Sequence, residues 1–220
     1  YTGLDCHENG NFEDAFTWFT KAAALGQAES IAELADYYYH FYDAKELRST
    51  IPYDPVKAIG LYRRAATKNF SDAGYTALQA TFGYIFHIGH LPLDWGLIAD
   101  LTHMAATKER FMFALPYIGY MRIHGLGVTK NIRFAVQSLL RVLDEEQRAF
   151  EEENRVLFYD ITRALTRVAL GYAYEKGYVT GKPDLDLAVS YYEQSHQYIL
   201  SHKANLDEEL KDVPIDDEAA

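Results

Sequence analysis

The chain has 220 residues, of which 49% are hydrophobic and 15% aromatic, and its formal net charge at pH 7 is −11. Proteins that bind DNA or RNA usually carry a basic patch, so this acidic composition argues against a nucleic-acid partner. No apolar run of the sequence reaches the roughly 18 residues that a spanning helix needs, and we expect no membrane insertion.

The first residues bear on the compartment and on where the repeats begin. Cys6 is the single cysteine, which favours a reducing, cytoplasmic compartment over an exported one. Export stays open as an alternative, because the sequence starts at Tyr1 without a methionine and any signal upstream is out of view. Residues 1–11 predict a loop, so we expect the first repeat to be partial and its first half to lie upstream.

Predicted helices follow one another along the chain. In the first of them, residues 12–25, small and aromatic side chains recur at i, i+3, i+4, i+7 and i+8 from Ala15, which marks one helix face. Gly26 is a plausible C′ residue for this helix, and Asp54 with Pro55 has the pattern of an N-cap and first turn. The other helix-bearing segments are 29–42, 54–69, 74–88, 94–109, 113–124, 131–143, 165–176 and 184–199.

The pattern that starts at Ala15 recurs four times. The equivalent positions, called anchor positions below, are Ala15, Ala58, Ile98, Ala135 and Ala188, at separations of 43, 40, 37 and 53 residues. A period near 40 residues that contains two helices predicts an all-α fold, an α-α superhelix built as a right-handed solenoid of helix-turn-helix repeats.

Two acidic segments interrupt or follow this period. The longest separation predicts a helical extension near residues 144–156, and we interpret its glutamates Glu145, Glu146 and Glu151 to Glu153 as a solvated face rather than a docking arm. Residues 205–220 hold seven acids and one lysine, and we expect this acidic tail to be a short cap or loosely ordered.

Glycines at fixed places complete the repeat pattern. The fourth unit carries Ala114, Ile118-Gly119, Gly125, Gly127, Val128, Asn131 and Ala135, and the fifth carries Leu170-Gly171, Tyr174, Gly177, Asp184 and Ala188. This combination resembles the Sel1-like repeats, relatives of the tetratricopeptide repeats, over most of the chain. The resemblance implies an array of about five repeats in residues 1–204. The second unit departs from it, because Ala35 and Phe41 stand where the helix and loop glycines belong.

The glycines have two expected roles. Gly83, Gly119 and Gly171 lie inside predicted helices, where glycine costs about 1 kcal/mol relative to alanine, so we expect another backbone to pass close by. Gly125 and Gly177 predict a positive φ between paired helices. We interpret Trp18 and the pair Ala22-Ala23 as packing between repeats.

The resemblance also points to candidate binding residues. In repeats of this kind the first helix of each pair lines the concave side, and the residue after the helix glycine points away from the partner helix. We therefore expect a strip of partner-binding residues made of Asp36, His40, Tyr84, Tyr120, His124, Tyr172 and Lys176. Tyrosine suits recognition, because it offers contact area and a hydroxyl at low entropic cost. The alternative is that the tyrosines are buried packing between repeats.

The sequence contains no catalytic constellation with a specific spacing. His87 and His90 could hold a metal only with a third ligand, which no neighbouring residue supplies, so we interpret them as ordinary loop or helix-end histidines. Cys6 lies in the predicted loop beside His7 and has the features of an ordinary thiol. We expect no enzyme activity, no metal and no cofactor.

Three functions follow from these observations. The first is a non-catalytic protein-protein interaction scaffold that binds a protein or peptide on the concave face of the array. The second is a structural spacer or docking arm of a larger assembly. The third is a repeat-type hydrolase resembling β-lactam-binding Sel1-like proteins, which the single cysteine argues against because those relatives look disulfide-rich.

Overall fold

The computed structural model of the chain describes residues 2–39, 50–85, 88–107, 111–149 and 157–209. Within these ranges the regular structure is helical and contains no strand. The chain divides into two compact units, which are described separately. Unit 1 comprises Tyr1–Ala114 with Leu126–Val128, and unit 2 comprises Leu115–Gly125 with Thr129–Ala220.

Unit 1 is a series of helices that pack in chain order. Its helices are α1 Thr2–Glu8, α2 Phe12–Ala24, α3 Ala28–Tyr38, α4 Pro55–Ala66, α5 Ala73–Ile85 and α6 Trp95–Thr107, with a 3₁₀ turn at Ile88–His90. Each of them packs against the next, from α1 against α2 to α5 against α6. Turns of three residues join α1 to α2 and α2 to α3, so these neighbours form helical hairpins.

Unit 2 continues the same organisation. Helix α7, Phe111–His124, begins in unit 1 and enters unit 2, where α8 Ile132–Ala149, α9 Leu157–Glu175 and α10 Leu185–Glu209 follow. Helix α9 packs against both α8 and α10. The anchor positions confirm the predicted repeat, because Ala15, Ala58, Ile98 and Ala135 are fully buried and Ala188 is 2% exposed.

A recurring side-chain cap starts the second helix of four repeats. The carboxylate of Asp54 accepts a hydrogen bond from the Lys57 backbone N–H at 2.9 Å, as predicted. Asp94, Asn131 and Asp184 make the same bond to the residue three positions later, at 3.0 to 3.1 Å. Each cap satisfies a backbone donor that the first helical turn leaves unpaired. The Asp or Asn of the repeat pattern is therefore a helix start signal.

The N-terminal segment is a helix, and the prediction of a loop there is wrong. Helix α1 packs on α2 because Gly3 leaves room for the Phe19 ring, and a Cβ on Gly3 would lie 2.8 Å from Phe19 Cε1. Cys6 accordingly lies in a helix, partly exposed, rather than in a loop. Helix α2 is the second helix of the first repeat, and α1 lies beside it as the first helix of the same repeat.

The three helix glycines at which a neighbouring backbone was predicted accommodate side chains instead. A Cβ on Gly119 would lie 2.8 Å from Leu139 Cγ, and one on Gly171 would lie 2.8 Å from Tyr192 Cε1. Gly83 in the same way receives the side chain of Ile59. Close backbone approach occurs instead at Gly127, whose φ is +65° and where a Cβ would overlap the Trp95 carbonyl.

The turn glycines behave as predicted, whereas Trp18 does not. Gly26, Gly125 and Gly177 have φ values of 86°, 75° and 71°, which glycine adopts without strain. Trp18 is 44% exposed, with the Lys21 ammonium 5.1 Å from its ring centroid. Its neighbour Phe19 fills the packing position instead, at 4% exposure.

The acidic extension is only partly a solvated face. Helix α8 continues to Ala149, and residues 150–156 lie outside the described residues. The Glu146 side chain is 10% exposed, forms an ion pair with Arg163, and accepts a hydrogen bond from Arg167 Nη1 at 2.9 Å. The prediction of a solvated Glu146 is wrong, because its carboxylate pairs with two arginines of α9. Helix α10 runs to Glu209, into the predicted tail, of which residues 210–220 lie outside the described part.

Candidate partner-binding surface

The predicted strip divides into buried and accessible members. In unit 1, Asp36 on α3 is 8% exposed and accepts a hydrogen bond from the Tyr62 hydroxyl of α4. Burial raises the pKa of Asp36 to about 7, the Tyr62 bond opposes that rise, and the charges of Glu33 and Asp72 add to it. Burial likewise raises the pKa of Tyr62. Asp36 therefore joins two helices and offers no open surface, contrary to the prediction.

Tyr84 is also a packing residue, which the alternative interpretation of the tyrosines anticipated. It is 6% exposed, and its hydroxyl accepts a hydrogen bond from Arg63 Nη1 at 3.0 Å. The bond joins α5 to α4, so Tyr84 is held between helices of unit 1. His40, the remaining predicted residue of this unit, lies outside the described residues.

In unit 2 the predicted residues come together. Tyr120 and His124 are one helical turn apart on α7, and their ring centroids lie 4.6 Å apart. The His124 ring lies 4.8 Å from the Tyr172 ring of α9. His124 is exposed and both tyrosines are partly exposed, so the three rings form a continuous, solvent-accessible aromatic surface.

Two loop residues extend this surface beyond what the sequence indicated. Tyr178, just after Gly177, packs edge-on to Tyr172 at 6.2 Å. The Lys176 ammonium lies 5.4 Å from the Tyr172 ring, and the Lys130 ammonium lies 6.0 Å from the Tyr178 ring. We call this surface the aromatic–lysine patch. Its members are Tyr120, His124, Lys130, Tyr172, Lys176 and Tyr178.

The electrostatics of the patch combine a neutral ring with two cations. Desolvation, followed by the charge of Lys130, lowers the pKa of His124 below its ordinary value of 6.5, so the imidazole is neutral at pH 7. Lys176 donates a hydrogen bond to Glu175 at 2.6 Å, and Tyr192 donates one to the same carboxylate at 3.0 Å. These bonds to Lys176 and Tyr192 lower the pKa of Glu175.

The patch has the chemistry of a contact surface rather than of a reaction centre. Its rings can pack against apolar or aromatic groups, and its lysines can donate to carboxylates or carbonyls. Among the described residues no group of three His, Cys, Asp or Glu side chains is placed to hold a metal ion. His90 is exposed with a φ of 62°, and its predicted companion His87 lies outside the described part.

No helix in the described ranges combines the length and the apolar character that crossing a membrane requires.

Comparison with solved structures shows a related fold. A Sel1 repeat protein from Oxalobacter formigenes is similar with a TM-score of 0.54 and 22% sequence identity, over 85% of this chain and 65% of that one. A protective antigen of uropathogenic Escherichia coli strains, described as displaying an SLR fold, has a TM-score of 0.39 and 16% identity, over 97% of this chain and 56% of its own. The chain thus spans less than two thirds of either relative. No curated protein matches the chain.

The family is shown by the sequence itself. The model of the Sel1 repeat matches residues 1–27, 28–70, 117–137 and 162–195, which together make up more than half of the chain. The matched segments include the buried anchor positions Ala15, Ala58, Ala135 and Ala188, and the helix glycines Gly119 and Gly171. The all-helical hairpins, the packing of helices in chain order and these matches agree: the chain belongs to the Sel1 repeat family, with the α-α superhelix class of fold.

Proposed function

We propose that this protein is a non-catalytic interaction scaffold that binds a protein or peptide through the aromatic–lysine patch of unit 2. The observation that carries the proposal is the row of rings Tyr120, His124 and Tyr172, at centroid distances of 4.6 and 4.8 Å, on two neighbouring helices with solvent access. Rigid aromatic side chains at such sites contribute much of the binding energy of protein interfaces.

The charges around the rings favour a particular kind of contact. A neutral His124 leaves the centre of the patch without charge, so an apolar or aromatic side chain of the partner can cover it without burying an unpaired ion. Lys130 at the rim favours a carboxylate next to that side chain, whereas the Lys176 ammonium is already bound to Glu175. The preferred partner segment is therefore one with an apolar anchor flanked by an acidic residue.

The proposed binding surface contains some residues of the predicted strip, omits others and includes two further residues. Asp36 and Tyr84 are left out because both are buried in hydrogen-bonded pairs of unit 1. Tyr178 and Lys130 are added because they border the same rings. That the patch lies on the concave side of the repeat array remains a prediction.

A peptide selection tests the proposal. Random-peptide phage display on the purified protein should enrich ligands, and a double variant, Tyr120→Ala with Tyr172→Ala, should bind them about tenfold or more weakly because the rings supply the contact area. Tyr53→Ala is the matched control, since Tyr53 is 59% exposed but lies in unit 1. Circular dichroism verifies that all variants remain helical.

Two results would count against this function. One is a selection in which no peptide is enriched on the protein. The other is a set of enriched peptides that bind the double variant and the Tyr53 control with the same affinity as the original chain.

A further inference from the structure

Within the described part of the chain, the three tyrosine hydroxyls of the aromatic–lysine patch make no hydrogen bond to the protein. Tyr120, Tyr172 and Tyr178 have no such partner, and their hydroxyl oxygens are not among the buried unpaired atoms, so these oxygens reach solvent. Tyrosine hydroxyls elsewhere in the chain are bonded to other side chains, at Tyr37, Tyr38, Tyr62, Tyr75, Tyr84 and Tyr192. The patch hydroxyls are therefore available to a ligand.

The rings that carry these hydroxyls are held in place on one side. Tyr120, Tyr172 and Tyr178 pack against the buried core cluster of unit 2, which includes Leu139 and Leu170. The rest of each ring is partly exposed. A ring fixed in this way loses little freedom when a ligand covers it, so the patch is preorganised for binding.

The polar groups that border the rings favour a ligand that accepts hydrogen bonds. Lys130 is exposed beside the Tyr178 ring, and its ammonium has three donors and no acceptor. The nearby carboxylate of Glu175 already accepts hydrogen bonds from Lys176 and Tyr192. A ligand that fits this surface therefore supplies apolar area and acceptors, and needs few donors of its own.

The conformation of the ligand backbone decides whether its carbonyl groups can meet these donors. In an α-helix the carbonyls are bonded within the helix. A β-strand carries N–H groups beside its carbonyls, and the described residues contain no strand with which it could pair. A polyproline II (PPII) helix has no internal hydrogen bonds, and each proline in it lacks the N–H. A proline-rich PPII helix thus offers acceptors without donors.

The spacing of the rings agrees with the repeat of a PPII helix. Steps of 4.6 and 4.8 Å between ring centroids lead from Tyr120 through His124 to Tyr172. Together these steps correspond to about one PPII turn of three residues, roughly 9 Å. Prolines one turn apart can therefore cover Tyr120 and Tyr172, with the His124 ring between them.

We propose that the ligand of the aromatic–lysine patch is a proline-rich segment in the PPII conformation, with an acidic residue next to Lys130. The proline rings pack on the tyrosine and histidine rings, and the tyrosine hydroxyls donate to the ligand carbonyls. The acidic side chain pairs with the Lys130 ammonium. This inference rests on the proposed function, since it names the ligand of the same surface.

A labelled proline peptide tests the inference. The probe is a fluorescein-labelled run of about nine prolines, roughly three PPII turns, with a glutamate at each end. Fluorescence anisotropy with the full chain should show saturable binding. A peptide with the same label and glutamates, in which alanine and leucine replace the prolines, should bind about tenfold or more weakly, because its backbone does not hold the PPII conformation.

A second measurement isolates the hydroxyl groups. The double variant Tyr120→Phe with Tyr172→Phe keeps both rings and removes both hydroxyls, so it should bind the proline peptide about fivefold or more weakly. Tyr53→Phe is the matched control, since Tyr53 is an exposed tyrosine of unit 1, and it should leave binding unchanged. Circular dichroism verifies that the variants keep their helicity.

The outcomes separate this inference from the proposed function. Absence of binding by the proline peptide, while displayed peptides still bind through Tyr120 and Tyr172, would overturn the inference and leave the proposed function standing. Equal affinity of the proline peptide and the alanine–leucine peptide would overturn it as well. So would a double phenylalanine variant that binds the proline peptide as tightly as the original chain. If neither the proline peptide nor any displayed peptide binds, both proposals fail.

Discussion

At the residue scale, Asp36 is a buried carboxyl group that is only 8% exposed. Its hydrogen bond comes from Tyr62, whose ring lies 6.5 Å from Tyr39 and 6.3 Å from Tyr75. Burial raises the pKa of Asp36 from 3.8 to about 7 in the folded chain. Between about pH 4 and pH 7 the Asp36 carboxyl is therefore mostly protonated in the folded chain, whereas in the unfolded chain it is mostly ionised.

The direction of the resulting pH dependence follows from linkage. Because the folded pKa lies above the unfolded one, the stabilisation by proton binding is complete below about pH 4 and is lost as the pH rises through about 7. For this group alone, the chain should be more stable at pH 5 than at pH 8. Asp36→Asn keeps an oxygen that accepts from Tyr62 and removes the charge, so it should raise the melting temperature at pH 8 by several degrees.

Thermal unfolding of both proteins between pH 5 and pH 8 measures this effect. The pH dependence should become flatter in Asp36→Asn, whereas Asp100→Asn, a substitution of an exposed acid on α6, should leave it as in the parent. Equal slopes for the parent chain and Asp36→Asn would show that Asp36 does not titrate in this range.

At the element scale, the sequence predicted the helices well because their apolar faces repeat and their ends carry explicit signals. Asp54 and the glycines Gly26, Gly125 and Gly177 are such signals, and all four behave as predicted. Helix α1 escaped prediction because seven residues contain too few apolar positions to show a period. Its position depends on the space that Gly3 leaves for Phe19, a contact with another helix.

The helix glycines lead to a prediction with opposite signs at two sites. Gly60 on α4 is exposed and would place a Cβ in open space, so Gly60→Ala should stabilise by about 0.5–1 kcal/mol through helix propensity. Gly119→Ala gains the same propensity but puts a Cβ 2.8 Å from Leu139 Cγ. Overpacking of a buried site costs about 1–3 kcal/mol, so the net change should be destabilising.

Chemical denaturation of the two variants and the parent chain gives both free energies of unfolding. A double variant, Gly119→Ala with Leu139→Val, should recover part of the loss, because valine relieves the contact. If Gly119→Ala were as stabilising as Gly60→Ala, the Leu139 side chain would have moved at no cost and the close packing of α7 on α8 would not explain the glycine.

At the scale of the whole molecule, the periodic anchor positions predicted the class of fold, and the glycines at fixed places in each repeat pointed to the family. The candidate site was predictable only in part. Tyr120, His124, Tyr172 and Lys176 come together because two successive first helices present the same register. Tyr84 is buried and bonded to Arg63 of another helix, and the spacing of residues within its own helix does not reveal such a contact.

The loop members of the patch were missed for a related reason. Tyr178 and Lys130 follow Gly177 and Gly125, whose positive φ values set the direction of the chain into each loop. A sequence pattern marks the turn but does not say which ring the following side chain meets. Contacts of this kind depend on the packing of neighbouring repeats, so they become visible only in the folded chain.

The division of the chain into two compact units predicts which helices a core mutation destabilises most. In repeat proteins each repeat contacts only the neighbouring repeats, so a core mutation reduces stability most strongly near the altered residue. Leu139 is fully buried in unit 2, in a cluster with Leu170 of α9. Leu139→Ala should cost about 2–5 kcal/mol, and amide hydrogen exchange should then quicken most in α8 and α9 and least in α2 and α3. Leu25→Ala, at a leucine that is 85% exposed, should change exchange in neither unit. A uniform loss of protection from α2 to α9 would instead show that the chain unfolds as one cooperative body, because a local defect would then lower the free energy of every opening by the same amount.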